Sequence, residues 1–364
     1  MYGIAGDYKN AFHYQKLFSS INDSLYSIEK SQQINELQAN FELEKKQQSI
    51  ELLKKDSTIK NLQLSRNKNW LITLSFIILG VLAITGLLYN RFRVKKKANQ
   101  LLSLQNIQIN NQKKEITDSI NYALLIQQSI MSSQEDIQKI FPQHFLFYKP
   151  KDIVSGDFYW AEEKNGIKYI AAVDCTGHGV PGAMMSVIGN NLLNQALYDK
   201  GIVEVNEILN FLDQGVVETL HQNKDGSMKN GMDLSLCAID FAKNTLQFSG
   251  AVNPVYLFSN GELILLKADK LFIGSSDQVY DKKQFTAQKI SFKQGDCLYL
   301  FTDGFIDQFG ENGKKLMSKG FKALIQKIQG LSMEKQKTEL ENFFVEWKGK
   351  EEQTDDILII GIQL

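Results

Sequence analysis

All four prolines of this chain, Pro142, Pro150, Pro181 and Pro254, lie beyond residue 141, and only Gly3, Gly6, Gly80 and Gly86 of its 25 glycines precede that point. Proline removes a backbone donor and glycine carries the largest backbone entropy, so both are kept out of helix interiors. A stretch of 141 residues almost free of them is predicted to be long helices, and the remainder a turn-rich α/β domain. A chain of 364 residues is in any case long enough for two or more parts.

The helical part reads in four segments. Residues 1–29 contain Gly6-Asp7-Tyr8-Lys9-Asn10-Ala11-Phe12-His13-Tyr14, which looks like the turn and second helix of a tetratricopeptide repeat; an ordinary amphipathic helix fits the same residues. Residues 30–68 are rich in Glu, Lys and Gln, with Ile34, Leu37 and Phe41 at helical spacing, and are expected to form a helical rod or coiled coil. Residues 70–90 hold the 19 uncharged positions Leu71 to Tyr89, with Trp70 and Tyr89 at the ends. At 1.5 Å per residue such a run crosses ~30 Å of hydrocarbon, and aromatic ends suit the two interfaces. Its distance from Met1 argues against a signal peptide. Arg91, Arg93, Lys95, Lys96 and Lys97 follow it closely, whereas Arg66 and Lys68 precede it. The positive-inside rule then puts the C-terminal part in the cytoplasm of a single-pass inner-membrane protein, although Lys54, Lys55 and Lys60 pull the other way. In residues 91–141, Leu102, Ile109, Ile116, Ala123 and Ile130 recur every seven positions, with Ile126 on the same seam and polar Gln105, Gln112 and Ser119 interrupting it. That pattern predicts a marginal parallel coiled coil, hence a homodimer, or a plain spacer.

From residue 142 to 364 the pattern changes to short strands and loops. Strands are predicted at 153–159, 168–174, 234–240, 245–250, 255–259, 262–267, 296–302 and 357–363, with helices at 182–199, 204–222 and 335–347. The expected fold class is α/β, layered sheets flanked by helices.

Acidic residues recur in one context, an aspartate at the end of an apolar run beside glycine or another aspartate. Asp157 stands in Val154-Ser155-Gly156-Asp157-Phe158-Tyr159-Trp160, and Asp174 in Asp174-Cys175-Thr176-Gly177-His178-Gly179-Val180-Pro181-Gly182. Asp303 follows Tyr299-Leu300-Phe301-Thr302, and Asp355-Asp356 precedes Ile357-Leu358-Ile359-Ile360. Each alone is an ordinary turn residue. Gathered on one rim of a sheet, such carboxylates make an oxygen-rich site for Mg²⁺ or Mn²⁺. Equal numbers of basic and acidic residues argue against nucleic acid as partner. Cys175, Cys237 and Cys297 are odd in number and lack CxxC spacing, which speaks against a disulfide framework or a thiolate zinc site. Arg66, Arg91 and Arg93 are the only arginines, so a phosphate handled beyond residue 93 must be neutralised by lysine or metal, and a Cys-x5-Arg phosphatase loop is excluded.

The ordered set Ser-Gly-Asp, Asp-x-x-Gly-His-Gly, Thr-Asp-Gly and Thr-Asp-Asp closely resembles the PPM-type metal-dependent protein serine/threonine phosphatases, in their bacterial SpoIIE-type branch, over Pro142 to Leu364. The resemblance implies a β-sandwich flanked by helices. It implies that Asp174 bridges two ions, that the Cys175 backbone carbonyl is a further ligand, that Asp303 and Asp355 complete the second ion, and that Asp157 ligates directly or through water. Asp356 matches a position often occupied by asparagine and ranks below Asp355. Gly177 and Gly179 shape the loop; His178 is either a general acid for the leaving alkoxide or a loop-shaping residue; Asp233, in Gly231-Met232-Asp233, is a strand cap or a supporting group.

The implied mechanism is direct in-line attack on a phosphoserine or phosphothreonine by a water bridging two Mn²⁺ or Mg²⁺ ions, about 3.5–4 Å apart, without a phospho-enzyme. The implied substrate is a phosphorylated regulatory protein, such as an anti-anti-sigma-like protein. The alternative is a pseudophosphatase that acts as a signalling scaffold; its aspartate set would be expected to be incomplete, and here it is complete.

Overall fold

The computed structural model describes residues 7–221, 230–274 and 283–364. Two compact units divide the chain, Met1–Asn106 and Ile107–Leu364.

The first unit consists of helix. Helix α1 runs unbroken over Tyr8–Ile130 and enters the second unit with its last turns. The separately predicted helical segments are thus one element, for the reason given by the glycine and proline count: no residue in it forces a break. Residues 1–6, where the tetratricopeptide-like turn was expected to begin, lie outside the described residues. Within α1 lies the one described helix long and apolar enough to cross a membrane. Its large apolar side chains, Leu71, Phe76, Leu82 and Leu87 among them, are exposed.

In the second unit α1 ends at Ile130, and Ser133 caps α2 (Gln134–Ile140). The Ser133 side chain accepts from the Asp136 amide while the Asp136 carboxylate accepts from the Ser133 amide, a reciprocal capping box. There follow β1 (His144–Lys149), β2 (Phe158–Lys164), β3 (Ile167–Cys175) and α3 (Gly179–Asn194), which continues into a π-helical turn over Gln195–Asp199. Next come α4 (Val205–Thr219), β4 (Met232–Asp240), β5 (Thr245–Ala251), β6 (Val255–Ser259), β7 (Glu262–Leu266), β8 (Gln288–Ser291) and β9 (Cys297–Phe301). The chain closes with α5 (Gly304–Asp307), α6 (Met317–Ile328), α7 (Met333–Lys348) and β10 (Ile357–Gln363).

Two five-stranded antiparallel sheets are stacked, in the orders β1-β10-β9-β6-β7 and β2-β3-β4-β5-β8. Between them lies a core of Ile170, Ala172, Phe248, Leu257, Leu298, Leu300, Leu358 and Ile360. Helices α3 and α4 cover the outer face of the second sheet through Leu193, Leu209, Leu212 and Val216 against Trp160, Tyr169, Ala171 and Val173. Helices α6 and α7 cover the first through Phe321, Leu324, Leu340 and Phe344 against Phe147, Tyr299, Phe301 and Ile359. Central strands are therefore buried on both faces, which is why Ile357-Leu358-Ile359-Ile360 shows no apolar/polar alternation. This is the expected layered α/β fold.

Local differences from the sequence-based expectation have physical causes. The predicted strand 153–159 is loop up to Asp157, because the Ser155 carbonyl and the Gly156 amide bond to the distant Gln127 and Asp356 instead of a neighbouring strand. Strands β1 and β8 and helices α5 and α6 were not predicted; β8 is a half-buried edge strand of four residues, too short to show a period.

Candidate metal centre

Both sheets bring carboxylates to the same rim. From the second sheet come Asp157, just before β2, and Asp174, near the end of β3; from the first come Asp303, just after β9, and Asp355-Asp356, just before β10. The β3–β4 register sets Asp233 directly opposite Asp174. Like charges facing across a strand pair are destabilising, so their juxtaposition needs a compensating cation or proton.

The motif glycines are where the motifs touch. A Cβ on Gly182 would lie 2.2 Å from the Gly177 carbonyl oxygen and 2.9 Å from Gly156 Cα, and one on Gly156 would lie 2.6 Å from that same oxygen and 3.2 Å from the Cys175 carbonyl oxygen. The Ser-Gly-Asp loop thus nests backbone to backbone into the turn after Asp174. Gly304 does the same between the sheet ends: a Cβ there would meet the Asp356 carbonyl oxygen at 1.9 Å.

Asp356 ties this rim together. It is buried, and its carboxylate accepts from the Lys151 amide at 2.7 Å and from the Gly156 amide at 2.8 Å. Both oxygens are taken by backbone, whereas Asp355 uses one oxygen on the Asp356 amide at 2.8 Å. Asp157 is 3 % exposed, and its Oδ2 has no hydrogen-bond partner. A buried carboxylate oxygen with nothing to bind is costly.

Electrostatics follow from this crowding. Burial, then the charges of Asp356, Asp355 and Asp303, push the Asp157 carboxyl well above the usual carboxylate range. Burial, then Asp157, Asp303, Asp233 and Asp355, do the same to Asp174. Asp303 is raised by burial, Asp307 and Asp355, with Lys315 and a hydrogen bond from Asp174 pulling it back. Asp233 is raised to about 6 by burial and by Asp303. Among the described residues no group of three or more His, Cys, Asp or Glu side chains already stands as a metal-holding cluster. Yet the donor set is all oxygen, one buried oxygen lacks a partner, and the carboxylates raise one another. Such a group suits a hard divalent cation.

Other predicted residues stand as follows. Gly177, in the turn ahead of α3, and Gly179, its first residue, adopt positive φ, 85° and 64°. His178 occupies the N-cap position of α3 but makes no capping bond; its Nδ1 lies 2.6 Å from Asp152 Oδ2, a pairing that the sequence pattern did not reveal. Cys175 is buried and its thiol is pushed well above its ordinary value by burial and by Asp174, so it is no thiolate nucleophile. Sequence reasoning also missed Lys315, whose ammonium lies 2.7 Å from Asp307 Oδ2 and whose charge acts on Asp303. No local motif marks either residue; the lack of downstream arginine was the one signal that a lysine had to be sought.

Two antiparallel sheets flanked by helices, with aspartates gathered at one rim, define the PP2C-like α/β fold of serine/threonine phosphatases. The family description "Stage II sporulation protein E (SpoIIE)" matches residues 166–364, more than half of the chain, and the chain belongs to this PP2C-type phosphatase family. It is similar to the SiaA-PP2C domain of Pseudomonas aeruginosa, with 31% identity and a TM-score of 0.63, over 69% of this chain and 98% of that one. It also shares the fold of the PP2C phosphatase domain and regulatory fragment of SpoIIE from Bacillus subtilis, with 16% identity, a TM-score of 0.50, and coverage of 61% and 63%. A comparison with curated proteins gave no match.

Proposed function

We propose that this chain is a membrane-anchored, metal-dependent phosphoserine/phosphothreonine protein phosphatase in bacterial signalling. The observation that carries the reading is the convergence of Asp157, Asp174, Asp303 and Asp355 from two sheets on one rim, with Asp157 Oδ2 buried and unpartnered. Asp174, Asp303, Asp355, Asp157 and the Cys175 carbonyl would hold two Mn²⁺ or Mg²⁺ ions. When bound, these ions supply charge neutralisation for the phosphomonoester and activation of a water. The protein's own part is to hold the carboxylates in place. Asp356 clamps the Asp157 loop, Gly156 and Gly182 let it approach the Asp174 turn, and the buried Cys175 thiol is unsuited to act as a phosphate-accepting nucleophile.

On this reading residues 70–90 cross the inner membrane, residues 91–141 couple, and residues 142–364 catalyse on the cytoplasmic side. The exposed apolar run within α1 and the basic residues that follow it support anchoring and orientation. The seam Leu102, Ile109, Ile116 and Ile130 is exposed, which favours pairing with a second copy. The last turns of α1 reach the site: Gln127 Nε2 donates to the Ser155 carbonyl at 2.7 Å and to Ser186 Oγ on α3 at 2.8 Å. Asn190 of α3 donates to the Ile130 carbonyl at 3.2 Å. A rotation of α1 would therefore act on both the Asp157 loop and the helix that follows Asp174. The substrate is a phosphorylated regulatory protein, anti-anti-sigma-like by resemblance.

The test is hydrolysis of a phosphoserine peptide by the full chain in detergent micelles, with and without Mn²⁺, alongside a folded Asp174→Asn variant. Metal-dependent turnover lost in Asp174→Asn is expected. A folded variant that retains turnover sinks the two-metal reading, and a wild type that binds no Mn²⁺ and turns nothing over leaves the pseudophosphatase scaffold.

A further inference from the structure

The substrate of the reaction proposed above carries a dianionic phosphate, and no arginine beyond residue 93 is available to hold it. The structure offers a cation in a specific place. After α5, residues Gln308 to Leu316 form a tight hairpin: Leu316 N–H donates to the Gln308 carbonyl at 3.2 Å, Phe309 pairs with Lys315, Gly310 N–H donates to the Lys314 carbonyl at 3.0 Å, and Gly313 N–H donates to the Gly310 carbonyl at 2.8 Å.

This hairpin is pinned at its root by Gln308, which is fully buried. Gln308 Nε2 donates to the Glu352 carbonyl at 2.9 Å, its Oε1 accepts from the Thr354 amide at 3.1 Å, and its own carbonyl accepts from Trp347 Nε1 at 3.0 Å. The hairpin is thereby fastened to the segment that leads into Asp355. At the other end of the same stretch, Asp307 N–H donates to the Asp303 carbonyl at 2.8 Å, so Asp307 stands one helical turn from Asp303.

Lys315 projects from this frame with its Nζ 2.7 Å from Asp307 Oδ2 and 5.6 Å from the centre of the Phe309 ring. It is partly exposed, as is Asp307. Its charge acts on Asp303 and opposes the neighbouring carboxylates there. An ammonium held on a hydrogen-bonded hairpin beside an anionic rim, paired to a carboxylate outside the proposed ligand set, is placed to exchange that carboxylate for an incoming anion.

We infer that Lys315 is the phosphate-recognition residue of this chain: its ammonium leaves Asp307 to pair with the non-bridging oxygens of the phosphoserine or phosphothreonine, and Asp307 stores it in position between turnovers. This rests on the metal-dependent phosphatase reading. It adds a residue in direct contact with substrate outside the aspartate set, and no bond is made or broken by it.

The experiment compares wild type, Lys315→Gln, Lys315→Arg and Asp307→Asn in the full chain in detergent micelles, with Mn²⁺ and a phosphoserine peptide. Three quantities are read: kcat and KM, the inhibition constant of inorganic phosphate, and Mn²⁺ affinity by calorimetry without substrate. Loss of one charge-assisted hydrogen bond at a partly exposed site predicts a rise of about tenfold in KM and in the phosphate inhibition constant for Lys315→Gln. Its kcat should fall by less than about threefold, the charge-retaining Lys315→Arg should recover most of the effect, and Asp307→Asn should lower KM. Mn²⁺ affinity should not weaken in Lys315→Gln, since removing a positive charge cannot hurt cation binding. An unchanged KM and phosphate inhibition constant in Lys315→Gln overturns the assignment, as does a KM rise matched by an equal loss of Mn²⁺ affinity. If wild type itself shows no Mn²⁺-dependent turnover, the phosphatase reading fails first and the assignment with it.

Discussion

Asp233→Asn should stabilise the metal-free protein at neutral and alkaline pH, and hardly at all in acid. Asp233 lies opposite Asp174 in the β3–β4 pair, and burial with the Asp303 charge raises its carboxyl from 3.8 to about 6. Well below pH 3.8 the carboxyl is protonated in the folded and the unfolded chain alike, so removing it gains nothing. Between about pH 4 and 6 the unfolded chain ionises first. The folded state binds the extra proton, and its stability falls as pH rises. Above about pH 6 the loss is complete and corresponds to roughly 3 kcal/mol. Solvent reaching the partly buried carboxyl reduces this to about 1–2 kcal/mol. At pH 4.5 about a third of it should remain.

The assay is thermal unfolding of the full chain in detergent with EDTA, at pH 4.5 and pH 8. It can be followed by tryptophan fluorescence, since Trp160 is fully buried in the catalytic unit. A gain of about 1–2 kcal/mol moves the midpoint of a domain of this size by about 2–8 °C. Saturating Mn²⁺ should reverse the order of the two proteins, because the cation then takes over from the proton and stabilises wild type more. An equal gain at both pH values, or none at pH 8, would refute the claim that burial and the Asp303 charge at this rim hold the Asp233 carboxyl above its ordinary range.

Three further outcomes follow from particular contacts. Gly182→Ala puts a methyl 2.2 Å from the Gly177 carbonyl oxygen, with backbone on both sides; it should cost more than about 3 kcal/mol or abolish Mn²⁺ binding, read by calorimetry. Gln127→Leu strips the Ser155 carbonyl of its donor and should cost about 1–3 kcal/mol in thermal unfolding, with faster proteolysis between residues 130 and 160. Met317→Gly replaces an exposed side chain at φ 65° with the residue that carries no penalty there, and should raise stability by about 0.5–1 kcal/mol in the same unfolding assay.

Much of the layout was legible in the residues alone. The proline and glycine distribution predicted long helices over the first 141 residues; that most of them run as one helix, Tyr8–Ile130, is seen only in the structure. The aspartate motifs marked the rim, because three of them carry a glycine at a tight approach, Gly156, Gly182 and Gly304, and the fourth sets Asp355 beside Asp356 at the start of a strand. Strand edges were less legible. Ile357-Leu358-Ile359-Ile360 is apolar at every position, so its pattern says that it is buried but not which side meets the other sheet and which meets α7. The loop before β2 looked like strand because its hydrogen-bond partners, Gln127 and Asp356, lie 28 and 200 residues away.

The amino-acid sequence by itself determined that this chain has a long helical part with an apolar run, an α/β part, and aspartates of the right kind in the right order. Only the tertiary structure decided that those aspartates face one another. Carboxylates repel, and no local preference brings Asp174 beside Asp233, or Asp303 beside Asp355; two sheets, buried on both faces and joined at the rim by Asp356 and the motif glycines, hold them there. The partners of His178 and Lys315 belong to the same category. Asp152 lies 26 residues from His178 in the chain, and Lys315 reaches Asp307 across a hairpin, so each pair exists only once the backbone has folded.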